Sequence, residues 1–249
     1  MARTKYFEGD TPRLFAHRGL HLNTTGVIEN SLQAFQNALE HGATHIESDV
    51  HATKDQLAVL FHDADLLRTF NHPATISDLT LNELLEISNS SIPTLKQALT
   101  EFPNTRWNLD LKSRLAIAPT VAVIEELQAH DRVLVSSFSD RRRKLALSML
   151  SKPVATSAGS STVLLTYLSH KILGGFGLKR ILKDVDALQI PVAQGPFRFA
   201  DEKFIKRLSV LEKEVHFWTI NDLQKMTELI ELGAHGIVSD RVDLFPLTN

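Results

Sequence analysis

The chain has 249 residues, 43% of them hydrophobic, with 27 basic and 29 acidic side chains and a formal net charge of −2. That length suits one sizeable α/β barrel domain over residues 1–249, and the lack of a clustered basic face argues against nucleic acid as a partner. The absence of cysteine excludes a disulfide framework, thiolate metal ligands and a cysteine nucleophile.

Met1 to Pro12 carries charges and no apolar signal-peptide segment, so cytoplasm is the expected compartment. The longest apolar stretch, Val163 to Leu173, is interrupted by Ser169, His170 and Lys171. It falls short of the ~20 residues that cross a bilayer, so no transmembrane segment is expected. Monomer and homo-oligomer both stay open.

Leu14 to His17 reads as the first strand and runs into His17-Arg18-Gly19. Asn30-Ser31 opens a helix to Glu40 with Leu32, Phe35 and Leu39 on one stripe, closed by His41-Gly42. The strand His45 to Val50 carries Glu47 and Asp49, which share a face because strand side chains alternate. Thr53 to Gln56 is too short for a crossover helix, so Ala58 to His62 is expected to return as a hairpin arm. A helix over Thr94 to Glu101 precedes the strand Trp107 to Lys112, where Asp110 and Lys112 again share a face. Thr120 to Ala129 is helical and Val133 to Ser137 extended.

Ser139-Asp140 opens the helix Arg141 to Leu150, whose run Arg141-Arg142-Arg143-Lys144 reads as a solvated first turn. Strands follow at Pro153 to Ser157, Leu188 to Val192, Val215 to Ile220 and Gly236 to Ser239, with helices over Asp201 to Glu212 and Asp222 to Leu232. Between them, residues 157–179 allow two readings: an outer helix after the sixth barrel strand, or an apolar lid that admits an acyl chain. Alternation of strand and helix predicts a parallel sheet with helical cover. Nine strands fit a closed (β/α)₈ TIM barrel with one surplus arm. An open doubly wound sheet is the alternative, although no glycine-rich loop follows the first strand.

The polar pairs at these strand ends are of three chemical kinds. His17 and His62 are imidazoles that can exchange protons near neutral pH. Glu47, Asp49 and Asp110 are hard oxygen donors suited to one Mg²⁺ or Ca²⁺ rather than zinc. Arg18 and Lys112 are cations for an anionic substrate, and together the set points to metal-assisted phosphoryl chemistry.

His17-Arg18-Gly19, Glu29-Asn30-Ser31, Ile46-Glu47-Ser48-Asp49-Val50, Thr53-Lys54-Asp55 and His62-Asp63 resemble, in order, the glycerophosphodiester phosphodiesterase family. So do Arg68-Thr69, Ser77-Asp78-Leu79-Thr80-Leu81, Ile92-Pro93-Thr94-Leu95, Asn108-x-Asp110-x-Lys112, Ser136-Ser137-Phe138, Trp218-Thr219-Ile220-Asn221 and Gly236-Ile237-Val238-Ser239-Asp240. The resemblance runs from about Phe15 to Phe245. It implies a TIM barrel of the phospholipase C-like phosphodiesterase type, with a small excursion after the second strand. It also implies metal-dependent hydrolysis of glycerophosphodiesters to sn-glycerol 3-phosphate and an alcohol.

By that resemblance His17 and His62 are the acid and base pair, Glu47, Asp49 and Asp110 hold the metal, and Arg18 and Lys112 contact the phosphate. Three positions depart from the family pattern: Asp110 stands where Glu is usual, Gln56 where glycine is usual, and Arg241-Val242-Asp243 lacks a common proline. Trp218 and Phe138 are candidate substrate contacts or core aromatics. Glu29 and Asn30 either cap the first helix or support His17 and Arg18 from behind. The expected substrate is a small glycerophosphodiester. A lysophospholipase D acting on acylated diesters and a non-catalytic phosphodiester-binding module are the alternatives.

Overall fold

The computed structural model describes residues 4–22 and 26–245, so Met1–Arg3 of the charged N-terminal stretch lies outside the described residues. The strands are β1 (Arg13–His17), β2 (His45–Ala52), β3 (Ala58–Leu60), β4 (Arg106–Leu111), β5 (Val133–Ser136) and β6 (Ala155–Thr156). They continue with β7 (Ala187–Pro191), β8 (Ala193–Gln194), β9 (Phe197–Arg198), β10 (Glu214–Trp218) and β11 (Gly236–Ser239). The helices are α1 (Leu32–Glu40), α2 (Leu67–Phe70), α3 (Leu81–Ile87), α4 (Leu95–Glu101), α5 (Ile117–Glu126), α6 (Asp140–Met149), α7 (Ser160–Ile172), α8 (Leu178–Ile181), α9 (Glu202–Ser209) and α10 (Leu223–Glu231).

Eight parallel strands stand in the order β6-β5-β4-β2-β1-β11-β10-β7. The circle closes where Ser157 bridges Ala187 in parallel and the Ala158 amide donates to the Ala187 carbonyl at 2.9 Å. The ninth strand foreseen in the sequence is β3, which runs antiparallel to β2 as a hairpin arm. Its turn is tied by Thr53, whose amide donates to the Leu57 carbonyl at 3.0 Å. Gln56 holds φ at +63° there, a conformation that glycine adopts without strain. Residues 61–94 form the expected excursion around their own apolar centre of Phe61, Leu66, Ile76, Leu84 and Ile92, closed against Val59 of β3. Its helices α2 and α3, and the two-residue strands β8 and β9, were not foreseen.

Helix starts follow capping chemistry. Ser31, Thr80, Thr94, Ser139, Asp201 and Asp222 each accept a backbone N–H of the first turn that follows. The apolar stripe of α1 packs inward, with Phe35 edge-on to Trp107 at 5.0 Å between ring centroids. The bottom of the barrel is plugged by structural groups. Arg13 donates twice to Glu214 at 2.8 Å, His216 meets the same carboxylate at 2.9 Å, and Phe15 lies between His45 and His216.

The basic run at the start of α6 is a correction to the sequence reading. Arg143 is buried, not solvated: its guanidinium meets Asp140 at 3.1 Å and the Asp184 carbonyl at 3.2 Å. Asp140 also receives the Gly159 and Thr162 amides and the Ser161 and Thr162 hydroxyls, so it caps α7 from the neighbouring helix. Gly159 has no side chain with which to do so.

Burial alone would raise the Asp140 carboxyl, but hydrogen bonds from Ser161, Thr162 and Arg143 bring it down to about 2. Because this value lies below the ordinary ~3.9 of an unfolded aspartate, the stabilisation is present above that pH and is lost as pH falls towards 2. Asp140→Ala is expected to cost about 3 kcal/mol, combining a lost cap with an uncompensated buried Arg143. Urea denaturation at neutral pH checks this, and the gap from the native chain should shrink as the acid limit is approached.

Candidate active site

The candidate residues converge at the C-terminal ends of the strands. Parallel register sets His17 of β1 beside Glu47 of β2, Glu47 beside Asn108 of β4, Asp49 beside Asp110, and Asp110 beside Ser136 of β5. Alternation along each strand then turns Glu47, Asp49, Asn108 and Asp110 towards one cavity of about 660 Å³, which His17, Arg18, His62, Lys112, Phe138 and Trp218 also line. Every candidate except Glu29 and Asn30 therefore borders this opening, where barrel enzymes gather their chemistry.

The turn after β1 shows why His17-Arg18-Gly19 is needed as a unit. Arg18 is held at φ +58°, and its amide donates to the Glu47 carbonyl at 3.0 Å and to Glu47 Oε2 at 3.2 Å. Gly19 follows at φ +80°, and a Cβ there would lie 2.6 Å from the Ala34 backbone in α1. Asn30, also at positive φ, donates its amide to the Arg18 carbonyl at 2.8 Å and its side chain to Asp49 at 3.2 Å. Ser48 donates to the Asn30 side-chain oxygen at 2.6 Å. Asn30 thus braces the loop as well as preceding the Ser31 cap.

Each imidazole is oriented by a carboxylate. His17 Nδ1–H donates to Asp240 Oδ1 at 2.6 Å and His62 Nδ1–H to Asp63 Oδ1 at 2.7 Å, since ionised carboxylates only accept. Both Nε2 atoms are thereby left for the cavity. His17 Nε2 stands 4.0 Å from Glu47. Burial disfavours the charged His17 ring, but the bond to Asp240 and the charge of Glu47 outweigh it and raise the pKa. Asp240 is fixed in turn by Asn221, which donates to its Oδ2 at 2.7 Å. His51 supports the other ring by donating from Nε2 to the His62 carbonyl at 3.2 Å.

Asp63, Arg68 and Glu29 extend these supports into a chain. Arg68 donates to Asp63 at 2.5 Å and to Glu29 at 2.5 Å, and Glu29 receives Arg18 at 3.2 Å. The Arg18 Nε lies 3.3 Å from Asp49. Burial would raise Glu29, yet Arg68 and Arg18 hold its pKa below the usual carboxylate range.

Lys112 is not free to meet a ligand: its ammonium stands 2.7 Å from Asp49 and 2.9 Å from Asp110. Burial would lower its pKa, but these two charges keep it raised. Burial opposes ionisation of Asp49 too, although Lys112 and Arg18 bring its pKa below the usual value. Asp110 is raised by burial despite Lys112. Glu47 is pushed up to about 7, first by burial and then by Asp49. Among the described residues no group of three or more His, Asp or Glu side chains is placed so that it could hold a metal ion as the side chains stand. The side-chain oxygen of Asn108, buried at the same opening, has no hydrogen-bond partner among the described residues.

The mouth is asymmetric. Acids and cations occupy the β1, β2 and β4 side. The opposite flank is apolar, made by Val163 and Leu164 of α7, Pro196 and Phe197 of the β8–β9 flap, and Phe138 and Trp218 packed edge-to-face at 6.0 Å. Phe138 is 62% exposed, so it serves no core.

Asp240, Asn221, Asp63 and Arg68 are the working neighbours that sequence reasoning left without roles. Asp63 and Asp240 could be singled out only as polar residues following strands. Asp240→Asn is expected to cut turnover roughly 10-fold, by the usual weight of a ligand-orienting partner. Since the lost charge is one that raises His17, the limb of the pH–rate profile governed by His17 should move to lower pH while the other stays. A parallel fall with no shift of either limb would make Asp240 purely structural.

A family model for the glycerophosphoryl diester phosphodiesterase family matches residues 17–244. A Mycobacterium tuberculosis protein named probable glycerophosphodiester phosphodiesterase 2 is 37% identical over 233 residues, covering 92% of this chain and 87% of its own length. Among solved structures, the glycerophosphodiester phosphodiesterase of Thermotoga maritima superposes with a TM-score of 0.74 at 25% identity, over 95% of this chain and 98% of the other. An Oleispira antarctica phosphodiesterase, solved with the product sn-glycerol-3-phosphate, superposes at 0.72 with 24% identity, over 93% and 94% of the two chains.

Proposed function

Since the chain belongs to the glycerophosphoryl diester phosphodiesterase family and is a phosphoric diester hydrolase, we propose that it cleaves small glycerophosphodiesters to sn-glycerol 3-phosphate and an alcohol by proton transfer between two histidines at a metal-assisted site. The observation that carries this reading is that His17 and His62, from different strands, border one cavity with their Nδ1 atoms committed to carboxylates. Their Nε2 atoms are the groups that remain for proton transfer.

One Nε2 takes the proton of the attacking hydroxyl, and the other returns a proton to the departing alkoxide. Attack by the neighbouring glycerol hydroxyl gives a cyclic phosphate, and reversal of the two proton roles opens it with water. Asp240 and Asp63 hold each ring in the tautomer this exchange needs. The chain Asp63–Arg68–Glu29–Arg18 fixes the spacing between the two sides.

The donor set suits a divalent cation. Glu47, Asp49 and Asp110 share the cavity with a single ammonium, the Asn108 oxygen adds a neutral donor, and Glu47 is lifted to about 7 by burial and then by the neighbouring Asp49 charge. Glu47, Asp49 and Asp110 would hold Mg²⁺ or Ca²⁺, whose chemistry there is to neutralise the phosphate oxygens and polarise the phosphorus. Lys112 would then leave the aspartates and pair with the phosphate, beside Arg18.

Release of glycerol 3-phosphate from glycerophosphocholine, glycerophosphoethanolamine and glycerophosphoglycerol tests the reading. Turnover of at least one is expected, and none across the panel with metal supplied would overturn it. The apolar flank of the mouth favours a second reading, a lysophospholipase D activity, in which Phe138, Leu164 and Phe197 meet an acyl chain. Under it, lysophosphatidylcholine is turned over faster than glycerophosphocholine. Phe138→Ser would then lower only the acylated rate, roughly 10-fold for one buried aromatic contact.

A further inference from the structure

Helix α7 is amphipathic the wrong way round for a barrel's outer helix. Its buried positions are Thr162, Thr166, Tyr167, Ser169 and His170, with Tyr167 the one large ring turned into the core, while Leu164, Leu165, Leu168 and Ile172 face outward on one stripe. The stripe continues through Leu173, 58% exposed, to Phe176 at 82%. A helix that only covered a sheet would turn leucines inward, and an exposed apolar patch of this extent marks an interaction surface. The polar residues beneath are satisfied, with the Thr166 hydroxyl donating to the Thr162 carbonyl at 2.8 Å and Ser169 to the Phe176 carbonyl at 2.7 Å. The orientation is therefore a stable feature of the packing.

What covers the stripe is indicated by the charge around it. Residues 171–213 hold nine Lys and Arg against five Asp and Glu, whereas the rest of the chain holds 18 against 24. The loop around Phe176 opens onto a hollow of about 660 Å³ lined by Lys179, Lys203, Lys206 and Arg207 and, among the described residues, by no carboxylate. Its apolar edge is Val210, 77% exposed. Lys179, Lys203 and Lys206 carry no salt bridge among the described residues. Gly175, at φ +94°, lets this loop close on Arg207, where a Cβ would lie 2.8 Å from the Arg207 side chain.

We propose that α7, the loop 173–177 and the basic face of α8 and α9 form a docking surface for an anionic phospholipid membrane, with Leu165, Ile172, Leu173 and Phe176 entering the interface and lipid phosphates meeting the hollow. Apolar residues with a basic surround are what an interfacial segment requires. Among the described residues no helix is long and apolar enough to cross a bilayer, so attachment is peripheral. The first turn of α7 also lines the catalytic mouth through Val163 and Leu164, so the docked enzyme opens next to the bilayer. The surface is separate from the chemistry assigned to the mouth, and its test reads binding apart from turnover.

Sedimentation of the full chain with vesicles of phosphatidylcholine alone, and of phosphatidylcholine with an equal part of phosphatidylglycerol, decides the matter. Retention is expected on the mixed vesicles and not on the neutral ones. Ile172→Ser/Phe176→Ser and, separately, Lys203→Glu/Lys206→Glu should each weaken partitioning at least about 10-fold. Hydrolysis of soluble glycerophosphocholine should stay at the native rate, which shows that the variants are folded. Absence of binding to mixed vesicles, or binding indifferent to both double variants, would overturn the proposal. So would a lipid-free dimer, seen by sedimentation velocity, that Ile172→Ser/Phe176→Ser disperses, because the stripe would then be covered by a second copy.

Discussion

His17→Ala and His62→Ala are each expected to lower kcat by roughly 10²- to 10⁴-fold, the range for removal of a positioned general acid or base. Each ring spends Nδ1 on a carboxylate at 2.6 or 2.7 Å, which leaves one nitrogen per ring to move protons. The two rings serve the same pair of transfers in opposite directions, so the double variant should lose far less than the product of the single losses. KM should change little, because neither ring carries a fixed charge opposite the phosphate. The native enzyme is expected to show a bell-shaped pH–rate profile, and each variant should lose one limb of it. Metal affinity measured by calorimetry should be nearly unchanged in both. Equal loss of metal binding would mean the imidazoles are ligands and the division of labour is wrong.

The parts of the site that follow from period two along a strand were legible in the sequence. Glu47 with Asp49, and Asp110 with Lys112, share a face through alternation alone, and parallel register needed only to set β2 beside β4. The hairpin arm was legible too, because Thr53 to Gln56 cannot span a crossover. Contacts made by barrel closure were not. Asp240 meets His17 across 223 residues only because β11 becomes the neighbour of β1. Face-sharing also could not tell that Lys112 pairs inward with Asp49 and Asp110, since that depends on where β2 lies beside it.

Local charge reading failed at Arg143 for the same reason. A basic run at a helix start reads as solvated until α7 and the 184–186 loop are placed over it. The flap of β8 and β9 has two residues in each strand, too few to show a period. For residues 157–179, the outer-helix reading is the one the structure shows. The segment is the outer helix after the sixth barrel strand, and its first turn is also an apolar wall of the mouth. Its leucine count predicted a helix but not which side faces the barrel, because buried threonine and serine can satisfy themselves on the helix backbone.

Chelation with EDTA is expected to abolish turnover, with Mg²⁺ or Ca²⁺ restoring it, and Asp110→Ala should raise the metal concentration for half activity by roughly 10- to 100-fold. The electrostatics carry this expectation. Three acidic side chains border the cavity with one ammonium between two of them, and burial, followed by repulsion from Asp49, lifts Glu47 to about 7. Protons and metal therefore compete for the same carboxylate. Below about 7 Glu47 is mostly protonated and binding must expel its proton, so affinity should rise with pH through that value and level off above it. Calorimetric titration in two buffers of different ionisation enthalpy would count the protons released, which should diminish once pH exceeds the Glu47 value. Glu47→Gln should remove this pH dependence while weakening binding, and the result separates a charge effect from a merely disturbed fold. Full activity in EDTA would remove the metal from the reaction, and Lys112 and Arg18 would then be the Lys and Arg charges that the described residues bring to the cavity for the phosphate.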